Sequence, residues 1–465
     1  MKKTYQRMIK RRHFNRLSLF FFGYVLASCA GSKQRTSKSA DTNKSDLLQI
    51  WWQEGFYPEE TDALDEIIAS WEQKSGRKVE LTTISQKDIL KEIESAIAAD
   101  KLPDICYTGV GDLAIFPQLA WNDQLVDVDD IIAPLKDQYD PNVLAGVNYQ
   151  NNVLGKRRYY AVPIMQSAIH IHYWQDMLTD IGVSREDIPK DWDEFWLFWE
   201  EMQERLRQGG QPEIYSVGMP MSLSLDTYNN FEQFLEAYDV QILDEEGSLQ
   251  IDKAEIRKGI AMALTKYTSF YKNGKVSPES LDWDNTGNNG ALLSRSSLMT
   301  VNHTLSAPGS QRQEEDTYYN QLSTIQWPKK ASGQPMRYVV ELKQVVLFKS
   351  SQQQDIAKDF LSYLAQPQNL QKYAEGSQAR YLPVMPELFE KTFWQDPADF
   401  HIKVAIQQLQ NTRPAYQVFN PAYGEVAAQN IWGSIIRKIG LGALTIEEAT
   451  EQAVAKIKKI FSDWQ

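Results

Sequence analysis

The sequence has few cysteines and few histidines, and these low counts limit the classes of protein to which the chain can belong. Its 465 residues include 2 Cys and 5 His, which excludes a disulfide scaffold. With 42% hydrophobic and 24% charged residues, the chain also falls outside the disordered and collagen-like classes. This length predicts two or three domains, or two large lobes that each bury a core.

Negative charge exceeds positive charge outside the N-terminus. The formal net charge is −12, and residues 1–28 contain seven Lys and Arg with no Asp or Glu. Removing those seven charges leaves −19 for residues 29–465. Because an acidic surface repels polyanions, we expect no nucleic-acid partner.

The chain also lacks a long hydrophobic run. The apolar stretch at residues 17–27 follows the cationic segment and is shorter than the roughly 18–20 residues of a membrane-spanning helix. This succession predicts a signal peptide over residues 1–28. Arg11 and Arg12, followed by His13 and Phe14, resemble a twin-arginine export motif, so general secretory and twin-arginine export both stay open.

Cys29 directly follows the predicted signal peptide. Leu26-Ala27-Ser28-Cys29 resembles the bacterial lipobox, which implies that Cys29 carries acyl chains such as palmitate and anchors the protein to a membrane. The following residues are rich in Ser, Thr and Lys, so residues 29–46 are expected to be the lipidated cysteine and a flexible tether. The protein is therefore predicted to be a membrane-anchored lipoprotein with a periplasmic or extracytoplasmic location.

From Leu47 the hydrophobic period alternates between that of strands and that of helices. Strands are predicted at residues 47–52, 78–84 and 103–107, with helices at 59–74 and 87–99 between them. Further predictions are strands at 155–163, 168–173, 297–301 and 338–348, and helices at 191–208 and 446–461. Cys106 is expected in the core of the third strand. The run predicts an α/β protein with a mostly parallel sheet and a binding crevice beyond the carboxyl ends of its strands.

Four stretches carry a family resemblance. They are Ile50-Trp51-Trp52, Leu102-Pro103-Asp104-Ile105, Tyr160–Ile164 followed by Tyr173–Asp176, and Leu298–Asn302. Their order resembles the extracellular solute-binding proteins of ABC importers, the sugar-binding lipoprotein family that includes maltose-binding protein. The resemblance covers residue 47 to the C-terminus. The sequence departs from the family at His170–His172, at Trp174 and at His303–Leu305, where a sugar-stacking aromatic is missing.

The resemblance implies a two-lobed periplasmic-binding-protein fold, with a ligand cleft between lobes joined by hinge crossings. Residues 47–164 and 346–400 would form lobe 1, and residues 165–345 and 401–465 would form lobe 2. It implies a monomer that captures a small neutral carbohydrate, such as a mono- or disaccharide or an osmoprotective glucoside. Partners would be the sugar, the transmembrane subunits of an ABC permease and the membrane through the lipid anchor.

A neutral sugar is bound by aromatic faces and by polar side chains that replace water at its hydroxyls. The 13 Trp and 22 Tyr are expected to supply some of those faces. Thr108, Gly109 and Asp112 are candidates because the resemblance puts them in the family's contact loop. Further candidates lie at strand ends, at the expected crossings between the lobes and in polar loops. They are Trp52, Glu54, Gln166, Ser167, Trp283, Asp284, Asn302, Arg380, Tyr423 and Glu425.

Other functions have weaker support. Gly109–Ala114 fits a dinucleotide fingerprint, but it follows the third strand, and Pro117 interrupts the helix that it should begin. Histidine spacing shows no readable third ligand. We therefore expect no enzyme activity, no cofactor and no metal. A secreted glycoside-active enzyme, with two carboxylates flanking a glycosidic bond, and a receptor for a non-sugar solute such as a polyamine stay open as alternatives.

Overall fold

The computed structural model describes residues 33–35 and 47–464. The predicted signal peptide, Cys29 and most of the tether lie outside the described residues. Within the tether, Lys33–Arg35 forms a short strand. Among the described helices, none combines the length and the apolar character that a membrane crossing requires.

The strands, in chain order, are β1 Lys33–Arg35, β2 Leu47–Gln53, β3 Lys78–Ile84, β4 Ile105–Thr108, β5 Asn148–Asn151, β6 Lys156–Tyr159, β7 Val162–Ser167, β8 His170–Trp174, β9 Tyr215–Gly218, β10 Ser297–Asn302, β11 Leu322–Ile325, β12 Tyr338–Val339, β13 Glu341–Leu347 and β14 Thr412–Arg413.

The helices are α1 Pro58–Ser75, α2 Ile89–Ala99, α3 Gly111–Ala114, α4 Phe116–Trp121, α5 Asp129–Ile132, α6 Pro141–Ala145, α7 Gln175–Asp180, α8 Trp192–Gln208, α9 Leu225–Ala237, α10 Ala254–Lys272, α11 Gly287–Leu293, α12 Ser306–Gly309, α13 Gln354–Leu364, α14 Pro367–Gly376, α15 Phe400–Gln408, α16 Tyr416–Phe419, α17 Ala422–Ala428, α18 Ile431–Gly440 and α19 Ile446–Asp463. Short 3-10 turns occur at Ala133–Gln138, Arg185–Asp187, Pro278–Leu281, Pro386–Glu390, Thr392–Trp394 and Leu409–Asn411, and a π-turn at Thr317–Gln321.

Two sheets organise the fold. The larger has the order β1-β3-β2-β4-β13-β7, and the smaller has the order β11-β8-β10-β9. Only β2 with β3, β2 with β4 and β9 with β10 pair in parallel within these sheets. The expectation of a mostly parallel sheet is therefore wrong, because β13 and β8 each insert antiparallel to their neighbours.

The first β-α-β-α-β run forms as its pattern predicts. Helix α1 begins with Pro58 in its first turn, where a missing backbone N–H costs nothing, and ends at Gly76, whose φ of 70° suits glycine. Its buried face includes Leu64, Ile67, Ile68 and Trp71. Burial of Cys106 in β4 raises the pKa of its thiol, as expected for a core cysteine.

The predicted strand at residues 155–163 divides in two. Tyr159 of β6 pairs with Asn148 of β5 in a hairpin, whereas Val162 of β7 pairs with Val345 of β13 in the larger sheet. The chain changes partner at Tyr160 and Ala161, both of which are buried. A continuous apolar pattern gives no sign of such a change.

Most of the tryptophans pack in cores. Nine of the 13 are buried, among them Trp192, Trp196 and Trp199 of α8. The Trp196 ring centre lies 5.0 Å from that of Phe270 and 5.4 Å from that of Phe234. The abundance of tryptophan, taken from the sequence as a sign of sugar stacking, therefore largely reflects packing in the cores.

The chain changes sheets at Ala168 and Ile169, between β7 and β8. Gln408 Nε2 (2.9 Å) and Trp327 Nε1 (3.2 Å) both donate to the carbonyl O of Ile169. The expected lobe boundaries at 164/165 and 345/346 fall inside β7 and β13, two strands of the larger sheet.

Candidate functional site

Strand β13 carries two charged residues on one face. Glu341 and Lys343 are two positions apart, so their side chains point the same way. Lys343 is only 1% exposed. Its ammonium group donates to the carbonyl O of Gly109 and to the Glu341 carboxylate, and lies 4.8 Å from the ring centre of Tyr381.

This charge pair reaches the smaller sheet through His303. The Glu341 Oε2 atom lies 3.2 Å from Nδ1 of His303, which directly follows β10. Burial opposes ionisation of Glu341, but the Lys343 ammonium group outweighs it and lowers the pKa of Glu341 to about 2. A chain of polar contacts therefore runs from one sheet to the other.

The buried side chain of Arg380 makes a second set of charged and aromatic contacts. Its guanidinium carbon lies 4.6 Å from the ring centre of Phe56 and 4.7 Å from that of Tyr381. The Nη1 atom is 3.7 Å from Oε1 of Glu60. Burial raises the pKa of Glu60, although Arg380 opposes the rise.

Backbone contacts join the same regions. The Arg380 carbonyl O accepts from the amide of Leu305 at 3.3 Å. The hydroxyl of Tyr57, which directly precedes α1, donates to the carbonyl O of Ser306 at 3.3 Å. The segment that follows β10 therefore touches both α1 and the segment that follows α14.

Amide side chains line the smaller-sheet side. Asn302 Nδ2 donates to Oδ1 of Asn289, while Asn302 Oδ1 accepts from the amide of Thr304 at 2.9 Å. Asn288 Nδ2 donates to the carbonyl O of Val301 at 3.0 Å. Burial raises the pKa of the nearby Asp226 to about 6, with His303 opposing the rise.

These side chains form one polar group between the two sheets, which we call the junction cluster. It consists of Glu60, Asp226, Asn302, His303, Glu341, Lys343 and Arg380.

Three atoms of the junction cluster lack a hydrogen-bond partner among the described residues. They are Oε1 of Glu60, Nε2 of His303 and Nε of Arg380. Glu60 is 4% exposed, and His303 and Arg380 are each 9% exposed. Buried polar atoms are nearly always paired, so these unpaired donors and acceptors make the junction cluster the candidate site for a polar ligand.

Several predicted residues lie at or beside the junction cluster. Asn302 and Arg380 belong to it, and Gly109 contacts it through Lys343. The hydroxyl of Thr108 donates to Oε1 of Gln53 at 3.3 Å, and the Gly109 amide donates to the same atom at 2.8 Å.

Gln166 and Ser167 lie in β7, beside the cluster. Gln166 Nε2 donates to the carbonyl O of Pro383 at 2.7 Å, which fixes the segment after Arg380. Ser167 is fully buried and pairs in register with Glu341.

Asp112 lies on the other side of β13. Its Oδ2 atom accepts from the amide of Leu342 at 3.0 Å. Burial raises the pKa of Asp112 to about 7, although Lys343 opposes the rise.

The structure does not bring the remaining candidates to the cluster. Trp52 is 2% exposed, and its indole N–H donates to the hydroxyl of Tyr373 at 2.8 Å. Glu54 is exposed. Tyr423 donates to Oε1 of Glu232 at 2.6 Å in a separate helical network, and Glu425 lies on the same helix.

Trp283 and Asp284 lie in a surface loop. Asp284 is exposed and accepts from the amide and the hydroxyl of Thr286. Trp283 is half-buried and lines a groove of about 590 Å³ together with Glu213 and Tyr215.

Sequence reasoning missed Tyr57, Glu60, Asp226, Glu341 and Lys343. Two charges at period two inside the apolar stretch 338–348 were a usable signal, because a strand buried on both faces tolerates a charged pair only if it is partnered. Tyr57 and Glu60 gave no such signal, since polar residues are ordinary at the start of a helix.

The Nδ1 atoms of His170, His172 and His401 each have a side-chain partner within the protein. His172 Nδ1 lies 2.8 Å and His401 Nδ1 2.5 Å from the hydroxyl of Thr324, and His170 Nδ1 lies 2.5 Å from Oε1 of Gln408. Burial lowers the pKa of His170 and that of His401 to about 4. Within the described residues, no group of three or more His, Cys, Asp or Glu side chains has the arrangement of a metal site.

Solved structures share this fold. An ABC transporter solute-binding protein of Thermotoga lettingae TMO, bound with α-D-tagatose, is 21% identical, with a TM-score of 0.73, and the match covers 89% of this chain and 99% of that one. Maltose-bound MalE3 of T. maritima is 17% identical, with a TM-score of 0.71 and the same coverage. A sugar transporter protein of Arthrobacter chlorophenolicus A6 with bound laminaribiose is 15% identical, with a TM-score of 0.69, over 89% of this chain and 99% of that one.

These matches confirm the expected two-lobed periplasmic-binding-protein fold. Among curated protein sequences, none matches this chain. The family model described as bacterial extracellular solute-binding protein matches residues 66–401. That range is well over half of the sequence, so the chain belongs to the bacterial extracellular solute-binding protein family.

Proposed function

We propose that the chain is the sugar-capturing subunit of an ABC importer, and that the junction cluster is its binding site. The observation that carries this proposal is the set of unpaired buried atoms on Glu60, His303 and Arg380. Sugar-bound solute-binding proteins with the same fold support it.

The chemistry of the cluster suits vicinal hydroxyl groups. A sugar hydroxyl donates one hydrogen bond and accepts others, so it needs both kinds of partner in one place. The Glu60 carboxylate accepts, the Arg380 guanidinium donates, and the amide of Asn302 does both. Hydrogen bonds to charged groups are stronger than neutral ones.

Aromatic surface lies beside these groups. Phe56 is 51% exposed and packs on Arg380, while Tyr57 and Tyr381 flank the same side chain. A ring with a free face can cover the C–H face of a sugar. This surface stands in for the aromatic residue that His303–Leu305 lack.

We propose that the lobes divide where the chain changes sheets, at 168–169, within 326–340 and within 383–399. Support comes from β7 and β13, which hydrogen-bond wholly within the larger sheet. Opening a cleft there would break the contacts of Tyr57 with Ser306 and of Leu305 with Arg380. A ligand that touches both lobes would favour closure by its differential affinity.

Transport follows from capture. We propose that the closed, loaded protein delivers its sugar to the permease without chemistry on it, as a monomer held at the outer face of a membrane by acylated Cys29. The family model supports an extracytoplasmic location.

Cys29→Ser should release the protein into the soluble fraction or leave the precursor uncleaved, and unchanged membrane association would overturn the anchor.

Calorimetric titration with a panel of mono- and disaccharides, and with spermidine as a non-sugar probe, tests the site. We expect one sugar class to bind, and Arg380→Gln to weaken that binding about 10- to 100-fold because a charged donor is lost. Arg257→Gln is the matched control, since Arg257 pairs with Asp252 and Glu451 on the surface. Binding of spermidine alone, or wild-type affinity in a folded Arg380→Gln variant, would overturn the proposal.

A further inference from the structure

A small cavity lies behind β13, on the side away from the junction cluster. Its volume is about 10 Å³. Side chains from three elements line it: Asp112 of α3, Gln344 of β13 and Gln417 of α16. Gly146 and Val418 are also part of its wall.

Each of the three polar side chains has one atom without a hydrogen-bond partner among the described residues. These atoms are Oδ1 of Asp112, Nε2 of Gln344 and Nε2 of Gln417. Asp112 is 7% exposed, Gln344 is fully buried, and Gln417 is 2% exposed. Leaving a buried donor or acceptor unpaired is unfavourable, so three at one cavity call for a common partner.

The remaining contacts set the orientation of these groups. Asp112 uses its Oδ2 atom to accept from the amide of Leu342 at 3.0 Å, which leaves Oδ1 for the cavity. Gln344 uses its Oε1 atom to accept from the hydroxyl of Tyr149 at 2.7 Å. Its NH₂ group is therefore left as a donor.

We propose that a single water molecule binds in this cavity and bridges Asp112, Gln344 and Gln417. A cavity holds a water when it offers about 10–15 Å³ and two to four polar partners. Water accepts two hydrogen bonds and donates two, so it can accept from both amides and donate to the carboxylate. An ammonium or metal cation has no lone pair for the two amide donors and does not fit this set.

The bridge would join segments that lie far apart in the sequence. Tyr416, next to Gln417, donates to the carbonyl O of Val240 at 3.1 Å, so α16 is attached to the segment after α9. Asp112 and Gln344 belong to the larger-sheet side. The water would therefore tie α16 to the back of β13 without filling any part of the junction cluster.

A crystal structure of the full mature chain, grown without ammonium salts, tests the proposal directly. We expect one density peak within hydrogen-bond distance of Asp112 Oδ1, Gln344 Nε2 and Gln417 Nε2. An empty cavity, direct hydrogen bonds among the three side chains, or a peak with the coordination of a cation would each overturn it.

Oxygen-17 relaxation dispersion in solution gives a second test, because it counts internal waters with long residence times. Gln417→Met keeps the length of the side chain but removes the donor, and we expect one long-lived water fewer than in the wild type. Gln429→Met is the matched control, since Gln429 is exposed and its side chain bonds, among the described residues, only to Glu425 in the preceding helix α17. An equal count in a folded Gln417→Met variant would contradict the bridge, and if that variant does not fold, the crystal density of the unmodified chain decides.

Discussion

Glu60 and Glu236 are both buried, yet their surroundings differ. Glu236 is 2% exposed and accepts from Lys330 at 2.6 Å, from Arg337 at 3.0 Å and from Arg413 at 2.7 Å. Burial alone would raise its pKa, but these cations, Arg413 first, lower it to about 2. We call this group the saturated cluster.

Glu60 is 4% exposed and has Arg380 as its nearest cation, at 3.7 Å. Its pKa is raised, and one of its oxygens accepts no hydrogen bond among the described residues. The same type of side chain therefore has a different role at each of these two positions. A carboxylate surrounded by cations stabilises the fold, whereas one left short of partners can be completed by a ligand.

The largest effect is expected in the saturated cluster. Glu236→Gln removes the charge that Lys330, Arg337 and Arg413 share, and breaking a buried ion pair costs about 3–5 kcal/mol. We expect the free energy of unfolding, measured by urea denaturation, to fall by that amount while the folded fraction keeps its sugar affinity. A stable Glu236→Gln variant that has lost sugar binding would reverse the comparison.

A pH titration tests the burial of His401. The folded-state pKa of His401 is about 4, because burial disfavours its charged form, whereas the unfolded value is about 6.5. Between these values the unfolded chain binds a proton that the folded chain does not, so stability is lost as the pH falls from about 6.5 to 4. The loss amounts to about 3 kcal/mol for this residue.

We expect His401→Gln to remove that part of the pH dependence. The measurement is the free energy of unfolding of the two proteins from pH 7.5 to 4, and the difference between them should narrow or change sign as the pH falls. Parallel curves would show that His401 is not held neutral by burial.

A smaller effect is expected at Glu60. Glu60→Gln keeps the shape of the side chain but weakens its acceptor, and we expect sugar affinity to fall about tenfold with little change in stability. Titration calorimetry and urea denaturation of the same sample measure both quantities. If the free energy of unfolding falls strongly instead, Glu60 stabilises the fold as Glu236 does and is not a ligand contact.

The smallest effect is expected at Trp283. Its ring lines a surface groove rather than the junction cluster, so Trp283→Ala should leave sugar affinity within about twofold, well below the 1–3 kcal/mol typical of a lost contact in a site. A large loss of sugar affinity in the Trp283→Ala variant would indicate that the sugar binds in the groove and not at the junction cluster.

Local patterns predicted the first half of the larger sheet because each element there is decided by its own periodicity. The insertion of β13 was not predictable, since nothing in the sequence of residues 341–347 indicates that they pair with Thr108 of β4 and Val162 of β7. The division of residues 155–163 into β6 and β7 was missed for the same reason.

The candidate site was predicted in part. Arg380 and Asn302 were found because a charged or amide side chain at the end of an element is conspicuous. Trp52 looked equally suitable, but the hydroxyl that satisfies its indole belongs to Tyr373, which is 321 residues away. Whether a polar atom is already satisfied depends on tertiary contacts that the sequence does not display.

The position of β13 also has a consequence for the order in which the chain can fold. The strands of the smaller sheet, β8 to β11, lie within residues 170–325, whereas the larger sheet needs β13 between β4 and β7. A chain that emerges from its N-terminus therefore carries open strand edges at β4 and β7 until residue 347 arrives, and open edges invite pairing with other chains. The edges of β4 and β7 that face β13 therefore stay unpaired until residue 347 is made, and during that time they must be kept from pairing with other chains.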